Sequence, residues 1–496
     1  MVAPPPFSAA YSCTLLESAI DSARAILVER NHSMGTDFAV IGNGAIGMAV
    51  AIAVAKKHPD WNISIVAPKD RRFSASAAAG AMVNVYAEIE ALPSTQEALA
   101  NRLLELGKKA SAKWLTFLDQ TGGSGVVTAR ETLVVLKKNA STFEERNFRT
   151  MSETVLSEGV GSLESAESVR YFAQSRADLF DTVLRIENEF AMDSGRLLAH
   201  LDNVARSLNI TLIDAIASRV EPDQKRIILS DSTAIESDQI VVAAGAFTGT
   251  LFEPEVGLLP MFQGIGTALL TEKFPIGGVR PREVVRTVNR GGAQCGVHLV
   301  PVGNDSIYIG AGNTVSSVKA PNTRFETVSY LLETAEKEFF GREISYALEG
   351  AIRVGLRPRS LDGFPMIGPL SQFEGVFIAT ATNRAGLTWA PEIAEHAVRW
   401  ASGLSVGSEL EPWAPDRISL LAGSDDDVME HYVESRIGAG LEHGLIQNTH
   451  SDVERARAEI REAGERHVRL LSADGGLAGV HPDNWAAATA GAVDGL

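Results

Sequence analysis

The chain has 496 residues, which is too long for one ordinary domain and predicts two to four of them. With 45% apolar and 22% charged residues, it should be globular and able to build a large core. The net charge of −17 argues against nucleic acid as a partner, because an acidic surface repels phosphate backbones.

Cysteine usage, the N-terminal sequence and the most apolar stretch of the chain together predict a cytoplasmic protein. Cys13 and Cys295 provide neither a disulfide framework nor a cysteine–histidine cluster, and we expect no bound metal. The N-terminal sequence MVAPPPFSAAYSC carries three prolines where a signal peptide would be apolar. The stretch from Ala39 to Ala55 has membrane length, but Asn43 and three glycines interrupt it. A buried strand–turn–helix explains it better than a membrane-spanning helix, so we expect no membrane partner.

The first predicted elements form a β-α-β unit. Helical spacing over 14–31 predicts an N-terminal helix that precedes it. The apolar run 37–42 predicts a strand, 45–57 an Ala-, Ile- and Val-rich helix, and 63–67 the next strand. The unit has about the ~30-residue length expected of such a motif.

The rest of the chain alternates between helical and strand patterns. A charged region from 94 to 188 is predicted to be helical, and the later elements are a helix at 194–208, strands at 211–214, 227–229 and 239–244, strands within 258–312, a helix at 320–340, and a strand followed by a long helix within 355–400. Segments of nucleotide-binding character therefore alternate with other material. This pattern predicts an α/β fold with a second domain inserted into the first.

The expected domain organisation follows from that alternation. The predicted parts are an N-terminal extension (1–36), a nucleotide-binding domain (37–92, 190–255 and 345–405), a substrate domain (93–189 and 256–344) and a C-terminal extension (406–496). The substrate domain is expected to be α+β with a mostly antiparallel sheet, because its strand patterns follow one another closely.

The strongest local signal is a glycine-rich turn between the first strand and the first helix. Gly42, Gly44 and Gly47 have the GxGxxG spacing. The first glycine permits a tight turn, the second lets backbone approach a pyrophosphate, and the third lets helix and strand pack closely. Ala45 and Ile46 then stand at a helix N-terminus, whose N–H groups attract phosphate. The motif predicts a dinucleotide site, with a structural glycine turn as the alternative.

The end of the second strand departs from the usual dinucleotide pattern. An acidic residue is expected there to bond the adenosine ribose, but Ala67 and Pro68 occupy the position. Asp70 could reach the ribose from the loop. Arg71 and Arg72 favour NADP as an alternative, since arginine can hold a 2′-phosphate, unless both are simply solvated.

Two further segments are consistent with a nucleotide site. Residues 74–82 (SASAAAGAM) are small enough to let the chain pass close to a planar group, although a tightly packed helix start would look the same. Residues 241–245 (VVAAG) read as a buried strand that ends on glycine.

A glycine-bounded motif near the C-terminal end carries two arginines. Residues 355–368 read GLRPRSLDGFPMIG, and 383–386 read NRAG before a predicted helix over 390–401. That helix start again presents N–H groups, which suits the polar edge of a flavin ring. Arg357 and Arg384 could clamp a carboxylate, or they could tie loops together.

These motifs, taken in order, resemble the FAD-dependent D-amino acid oxidase superfamily, and its glycine oxidase and sarcosine oxidase branch most closely. The order is GxGxxG, SAAAG, VVAAG, GLRP with DGFPMIG, and NRAG before a helix, over roughly residues 37–405. The resemblance implies a Rossmann-type FAD-binding domain assembled from the discontinuous segments. It implies non-covalent FAD, because no histidine or cysteine occupies the SAAAG segment, where some relatives attach flavin.

The resemblance also assigns residues. Arg357 falls where relatives grip the substrate carboxylate, and Arg384 falls beside flavin and substrate. His298 falls where a tyrosine often lines the pocket; it could exchange a proton or recognise another group, or be an ordinary core histidine. Asn313 is a weaker pocket candidate. The motifs and the resemblance together assign the following residues to FAD: Gly42, Gly44, Ala45, Ile46, Gly47, Asp70, Ser76, Ala78, Ala79, Gly80, Met82, Ala217, Ala244, Gly245, Gly355, Arg357, Gly363, Asn383, Arg384, Ala385, Gly386, Leu387 and Thr388.

The activity implied is oxidation of a small amine or amino acid. Hydride would pass from the α-carbon to flavin N5, the imine would be hydrolysed, and dioxygen would accept the electrons and yield hydrogen peroxide. The alternatives are a dehydrogenase or oxidase of a biosynthetic pathway that uses another amine or an electron-accepting partner, and a flavin-binding subunit without turnover. The second is motivated by an apolar stripe in the C-terminal extension that could dock a partner or a second copy, or pack within the chain: Val453, Ala456, Ile460, Ala463, His467 and Leu470.

Overall fold

The computed structural model describes most of the chain. The described residues are 36–90, 94–138, 140–169, 171, 177–273, 280–289, 296–303, 305–318, 322–421, 425–442, 446, 450–473 and 479–493. The helix predicted over 14–31 and both cysteines lie outside these residues.

The helices and strands are numbered in chain order. The α-helices are α1 (Ala45–Lys57), α2 (Ala75–Ala78), α3 (Ser94–Gln120), α4 (Thr142–Ser157), α5 (Ser194–Ser207), α6 (Phe325–Thr334, continued by a π-helical turn, Ala335–Phe340), α7 (Gly386–Ala401), α8 (Asp425–Glu442), α9 (His450–Ala473) and α10 (Trp485–Val493). The strands are β1 (Asp37–Ile41), β2 (Asn62–Val66), β3 (Met82–Val83), β4 (Val127–Ala129), β5 (Thr132–Lys137), β6 (Gly161–Glu164), β7 (Phe180–Ile186), β8 (Phe190–Met192), β9 (Thr211–Ile213), β10 (Ala217–Glu221), β11 (Arg226–Leu229), β12 (Ala234–Glu236), β13 (Gln239–Val242), β14 (Met261–Lys273), β15 (Val284–Thr287), β16 (His298–Val302), β17 (Ser306–Ser316), β18 (Leu348–Ser360), β19 (Met366–Pro369) and β20 (Val376–Thr380).

A six-stranded sheet in the order β19-β20-β13-β1-β2-β9 carries the predicted β-α-β unit. Its strands are parallel except where β19 meets β20. β1 is buried almost throughout because α1 and α7 cover one face and the β10–β12 hairpin region covers the other. Such double coverage explains why the sequence shows continuous apolar runs here instead of alternation.

An eight-stranded, mostly antiparallel sheet forms the second layer, in the order β18-β14-β17-β16-β15-β5-β7-β6. β14 pairs with β17 on one side and with β18 on the other, so Gly266 lies between Asn313 and Gly355, and Gly264 lies beside Arg357. β18 thus belongs to this sheet, whereas the expected boundary at residue 345 groups it with the nucleotide-binding segments. The chain passes to the six-stranded sheet only between Ser360 and Met366.

The prediction that 94–188 is helical is only partly correct. α3 and α4 are helices, but β4 to β7 lie in the same region. β5 (TLVVLK) pairs with β15 and β7 in the interior of the sheet and is buried over its first four residues. A short apolar run of this kind cannot be told from a buried helix by periodicity alone.

The C-terminal extension forms a small helical layer. α8, α9 and α10 enclose a core that contains Tyr432, Val433 and Trp485. Val453 and Ile460 of the predicted apolar stripe pack against this core. The stripe is therefore used within the chain, and an oligomer formed through this extension stays a prediction. No helix in the described ranges is long and apolar enough to cross a bilayer.

Candidate cofactor and substrate site

A cavity of about 750 Å³ is lined by residues from both large sheets. Cofactor and ligand pockets of proteins have volumes of roughly 300–1,000 Å³. Most residues that the sequence assigns to FAD line this cavity: Gly42, Gly44, Ala45, Ile46, Asp70, Ser76, Ala78, Ala79, Gly80, Met82, Ala217, Ala244, Gly245, Gly355, Arg357, Asn383, Arg384, Ala385, Gly386, Leu387 and Thr388. Segments far apart in sequence thus meet at one site.

The glycine-rich turn is shaped by backbone contacts. Gly42 has a φ of +112°, and a Cβ there would lie 2.3 Å from the carbonyl oxygen of Ala243. A Cβ at Gly47 would lie 2.0 Å from the carbonyl oxygen of Gly42, so this glycine lets α1 start directly against β1. Gly47 itself is not part of the cavity wall. The turn leaves backbone, with no side chain in the way, facing the cavity, which fits a pyrophosphate.

The loop after β2 explains what the two arginines there do. Arg71 donates to both carboxylate oxygens of Asp202 on α5, at 2.5 and 2.8 Å, and to the carbonyl oxygen of Asn43 at 2.9 Å. Arg72 pairs with Asp70 at 3.2 Å, and both side chains are more than half exposed. Because its donors already tie the glycine-rich turn to α5, Arg71 is a poor candidate for holding a 2′-phosphate.

A second helix N-terminus borders the same cavity. The cavity wall includes 382–388, the approach to α7 and its first turn. The helix begins at Gly386, four residues earlier than predicted, and a Cβ there would lie 2.4 Å from Oγ1 of Thr382. Asn383 has a φ of +47°, and its buried Oδ1 has no hydrogen-bond partner among the described residues. An orphaned polar atom and first-turn N–H groups facing one cavity are what a polar ring edge requires.

By the resemblance noted above, the flavin ring is expected near Ala78–Met82 and Gly363–Gly368, and of these two segments only Ala78–Met82 lines the cavity. Neither glycine is part of its wall. Gly363 has a φ of +80°, and a Cβ there would lie 2.7 Å from Cδ2 of His481. The glycine is needed because the C-terminal extension packs against this turn. The last residue of β18 in the cavity wall is Pro358.

A buried ion-pair network forms one wall of the cavity. Arg286, 1% exposed, donates to Glu88 at 2.6 Å. Arg384 contacts Glu88 at 3.2 Å and Glu90 at 2.8 Å. Burial alone would raise the pKa of the Glu88 carboxyl, but the charges of Arg384 and Arg286 outweigh it and lower that pKa to about 2. Glu88 is therefore ionised and balances both guanidinium groups.

Arg357 differs from the other two arginines. Its Nη1 donates to Oδ1 of Asn313 at 3.0 Å and to the carbonyl oxygen of Gly312 at 3.4 Å. Its guanidinium lies across Gly266, where a Cβ would come within 2.7 Å of Cζ. In the described part of the chain no carboxylate lies within 4.0 Å of it, so its positive charge faces the cavity without a counter-ion.

His298 lies in the cavity wall and is 4% exposed. Its ring stacks on Tyr308 with centroids 5.8 Å apart, and its Nδ1 has no hydrogen-bond partner among the described residues. Burial, followed by the charges of Arg286 and Arg357, holds the pKa of His298 well below its ordinary value. The imidazole is neutral at physiological pH and can donate or accept one hydrogen bond toward the cavity.

Several cavity residues were missed at the level of sequence. Glu88, Arg286 and Tyr308 belong to the wall but were not among the candidates. A signal existed for Arg286, because an arginine inside the apolar strand VVRT must find a buried acid. Glu88 follows β3 in a loop with no pattern of its own, and only the fold brings it to Arg286.

Comparisons with known proteins identify the family of this chain. A family model described as FAD dependent oxidoreductase (DAO) matches residues 37–400. A glycine oxidase of Pseudomonas aeruginosa is 29% identical over 182 residues, which cover 36% of this chain and 46% of that protein, so this match spans less than half of the relative. A glycine oxidase of Geobacillus kaustophilus is 24% identical over 367 residues, covering 72% of this chain and 90% of that protein.

Solved structures show the same fold. Glycine oxidase from Geobacillus kaustophilus superposes with a TM-score of 0.64 at 19% identity, covering 77% of this chain and 99% of that one. Iminodiacetate oxidase from Chelativorans sp. BNC1 superposes with a TM-score of 0.62 at 21% identity, covering 76% and 98%. The expected fold, a Rossmann-type FAD-binding sheet with a second, mostly antiparallel sheet, is confirmed. The chain belongs to the FAD-dependent oxidoreductase family, and FAD is its cofactor.

Proposed function

We propose that this chain oxidises a small amino acid of the glycine type, an N-substituted glycine or a D-amino acid, and returns the electrons to dioxygen. The observation that carries the proposal is the Arg357 guanidinium, which faces the cavity without a carboxylate partner among the described residues. A cation in that position selects an anionic group on the ligand. The names of the two glycine oxidase relatives are consistent with a carboxylate on a small amine.

Arg357 orients the substrate in this proposal. The absence of a side chain at Gly266 leaves room for the guanidinium to lie on β14, and the absence of one at Gly264 leaves room for the side-chain amide of Asn313. Asn313 accepts a hydrogen bond from one N–H group of Arg357 and so fixes the plane of the guanidinium. A carboxylate bound by the remaining donors would have a defined direction, which a lysine could not provide.

The residues that would hold FAD are those of the two helix starts. Gly42, Gly44 and Ala45 would face its phosphates, and residues 383–388 would face the polar edge of its ring. When bound, FAD would supply the oxidant for hydride removal from the substrate α-carbon, and the resulting imine would be hydrolysed to a carbonyl compound and ammonia or amine. We infer non-covalent attachment, since residues 74–82 contain neither histidine nor cysteine.

Among the residues that the structure describes, the cavity wall around Arg357 offers no strong base. His298 is neutral and its pKa is depressed, so it is a weak proton acceptor that can still donate or accept a hydrogen bond. Glu88 is ionised but already balances two arginines. The substrate amine should therefore react in its deprotonated form, and its own ionisation should set the pH dependence of the reaction.

Replacement of Arg357 tests the proposal. In R357M the KM for glycine should rise about 100-fold, since a bidentate charged hydrogen bond contributes roughly 3 kcal/mol. Methylamine, which lacks the carboxylate, should be oxidised as poorly by R357M as by the wild type. R357K keeps the positive charge but loses the planar pair of donors, so its KM for glycine should lie between those of the wild type and R357M.

The readouts are flavin bleaching under anaerobic conditions and peroxide formation in air. A normal flavin absorption spectrum in R357M would show that the cofactor site is intact. An unchanged KM for every carboxylate substrate in a panel of glycine, sarcosine and D-alanine would remove Arg357 from substrate binding. Bleaching without peroxide would instead contradict dioxygen as the acceptor.

A further inference from the structure

Three potential metal ligands meet in the C-terminal extension, outside the 37–400 segment that the family model matches. His431 lies on α8, and His481 and Asp483 lie in the turn before α10. One ligand atom from each lies within 4.8 Å of the others. The two imidazole rings are 5.4 Å apart between centroids and meet edge to face.

The positions of the ligand atoms suit a cation. Nε2 of His431 is buried and has no hydrogen-bond partner among the described residues. The side chain of Asp483 is 3% exposed, and its Oδ2 lies 3.6 Å from Nδ1 of His481. A buried carboxylate next to a buried imidazole nitrogen without a partner leaves polar atoms that a bound ion would satisfy.

Further contacts hold the ligands in place. Ser435 donates to Oδ1 of Asp483 at 3.3 Å, and Arg359 donates to Oδ2 at 3.4 Å. The ring of His481 rests on Gly363, as described above. Partners of this kind orient metal ligands in known sites. They also connect the cluster to β18 and to the turn that follows it.

We propose that His431, His481 and Asp483 form a binding site for one divalent transition-metal ion of the zinc type. Two imidazoles and one carboxylate suit Zn²⁺, Co²⁺ or Ni²⁺, whereas Mg²⁺ and Ca²⁺ require mainly oxygen ligands. The positive charge of Arg359 next to Asp483 disfavours ions held by charge alone. Binding exchanges the 3.2 Å hydrogen bond from the Asp483 N–H to Nδ1 of His481 for a metal bond. The sequence analysis predicts no metal, because His431 is far from the other two ligands in the sequence and none of the three is a cysteine.

A second cluster of Glu392, His396 and Glu409 is a weaker candidate. The ammonium group of Lys113 contacts the carboxylates of Glu392 and Glu395, so a cation of the protein already occupies that position. Asp483 also has a cation beside it, but Arg359 lies 3.4 Å from its Oδ2 and belongs to β18 on one side of the cluster, so it does not stand between the three ligands.

The metal would join three parts of the chain. It would link α8 to the turn before α10 directly, and both to the loop after β18 through Gly363 and Arg359. A bound ion should therefore stabilise the docking of the extension, because an ion that binds only the folded state shifts unfolding by mass action.

The test is Zn²⁺ binding to the full-length FAD-loaded protein after removal of metal with EDTA. We expect one Zn²⁺ per chain by mass spectrometry of the metal, and a rise in Tm when Zn²⁺ is added. In H431Q the affinity for Zn²⁺ should fall about tenfold or more. H467Q is the matched control: His467 lies on α9 in the same extension, and its Nδ1 is bonded to Thr489 at 2.8 Å.

Co²⁺ added to the wild type should give visible ligand-field absorption that is absent from H431Q. Substoichiometric Zn²⁺ and an unchanged Tm in the wild type would overturn the proposal whatever the variants do. Equal Zn²⁺ affinity in H431Q and H467Q would also overturn it. A flavin spectrum like that of the wild type confirms that H431Q is folded; should it fail to fold, the wild-type titration decides.

Discussion

Arg286, Arg357 and Arg384 belong to one cavity wall, but their surroundings give them different tasks. Arg286 and Arg384 share the carboxylate of Glu88, and Arg384 also reaches Glu90. Their charges are balanced inside the protein, so they shape the wall rather than attract a ligand. Of these three arginines, only Arg357 has no carboxylate partner among the described residues, and this difference is the reason that we propose substrate binding for it.

Glu88 should be essential for the stability of that wall. In E88Q two guanidinium groups lose their shared counter-ion, and breaking a buried pair from one side costs roughly 3–5 kcal/mol. Because 23% of the Glu88 side chain is exposed, we expect about 2–3 kcal/mol of lost unfolding free energy. Denaturant unfolding of the FAD-loaded protein would measure it. E90Q is the control and should cost less, since among the described residues Glu90 is paired with Arg384 alone; equal losses in both variants would contradict the shared role of Glu88.

His298 predicts how the protein responds to pH. Its folded pKa lies below the unfolded value of about 6.5, so acid protonates the unfolded chain first and stability falls as the pH drops below about 6.5. H298Q should lose less unfolding free energy between pH 7.5 and pH 5 than the wild type. Its profile of kcat/KM against pH should keep the inflection of the wild type, because the substrate amine sets it. A shifted inflection would make His298 the titrating group.

At the scale of elements, the sequence predicts what local pattern determines. The strand, glycine turn and helix over 37–57 are found within a residue of the expected bounds, because turn geometry and apolar runs are local properties. The predicted start of α7 is four residues too late. Glycine is disfavoured within helices, but α7 begins at Gly386 because Thr382 comes so close that no side chain would fit there. The Glu88–Arg286 pair joins residues almost 200 positions apart and depends on the fold as a whole.

The junction of β1 and α1 can be tested through Gly47. In G47A the new methyl group would stand 2.0 Å from the carbonyl oxygen of Gly42, so α1 must move away from the turn. We expect a loss of about 1–3 kcal/mol in unfolding free energy and weaker FAD retention on gel filtration. G195A is the matched control in the first turn of α5, where the nearest atom is 3.4 Å away, and it should be neutral or stabilising. Full FAD occupancy in G47A would show that the turn tolerates a shifted helix.

At the scale of the whole molecule, the C-terminal extension is joined to the body by buried polar contacts. The backbone N–H of His481 donates to Leu361 at 2.8 Å, and Asn484 donates to the carbonyl oxygens of Ser360 and Leu361 at 3.0 Å. These contacts provide hydrogen-bond donors for the backbone carbonyl groups of the turn that leads from the eight-stranded to the six-stranded sheet. The extension should therefore unfold together with the body rather than as an independent domain.

The ion pair between Arg417 and Asp362 is the most direct test of that cooperativity. Arg417 is 6% exposed and donates to both oxygens of the fully buried Asp362, at 2.9 and 3.0 Å through Nη2. R417M leaves this carboxylate buried without its cation, so the unfolding free energy should fall by about 3–5 kcal/mol. The double variant R417M/D362N also lacks the buried carboxylate charge, so it should recover part of the unfolding free energy lost in R417M. Flavin fluorescence and circular dichroism should report one unfolding transition, and R417M should shift its midpoint equally in both signals. Two separate transitions, with flavin release unchanged by R417M, would mean that the extension and the body fold independently.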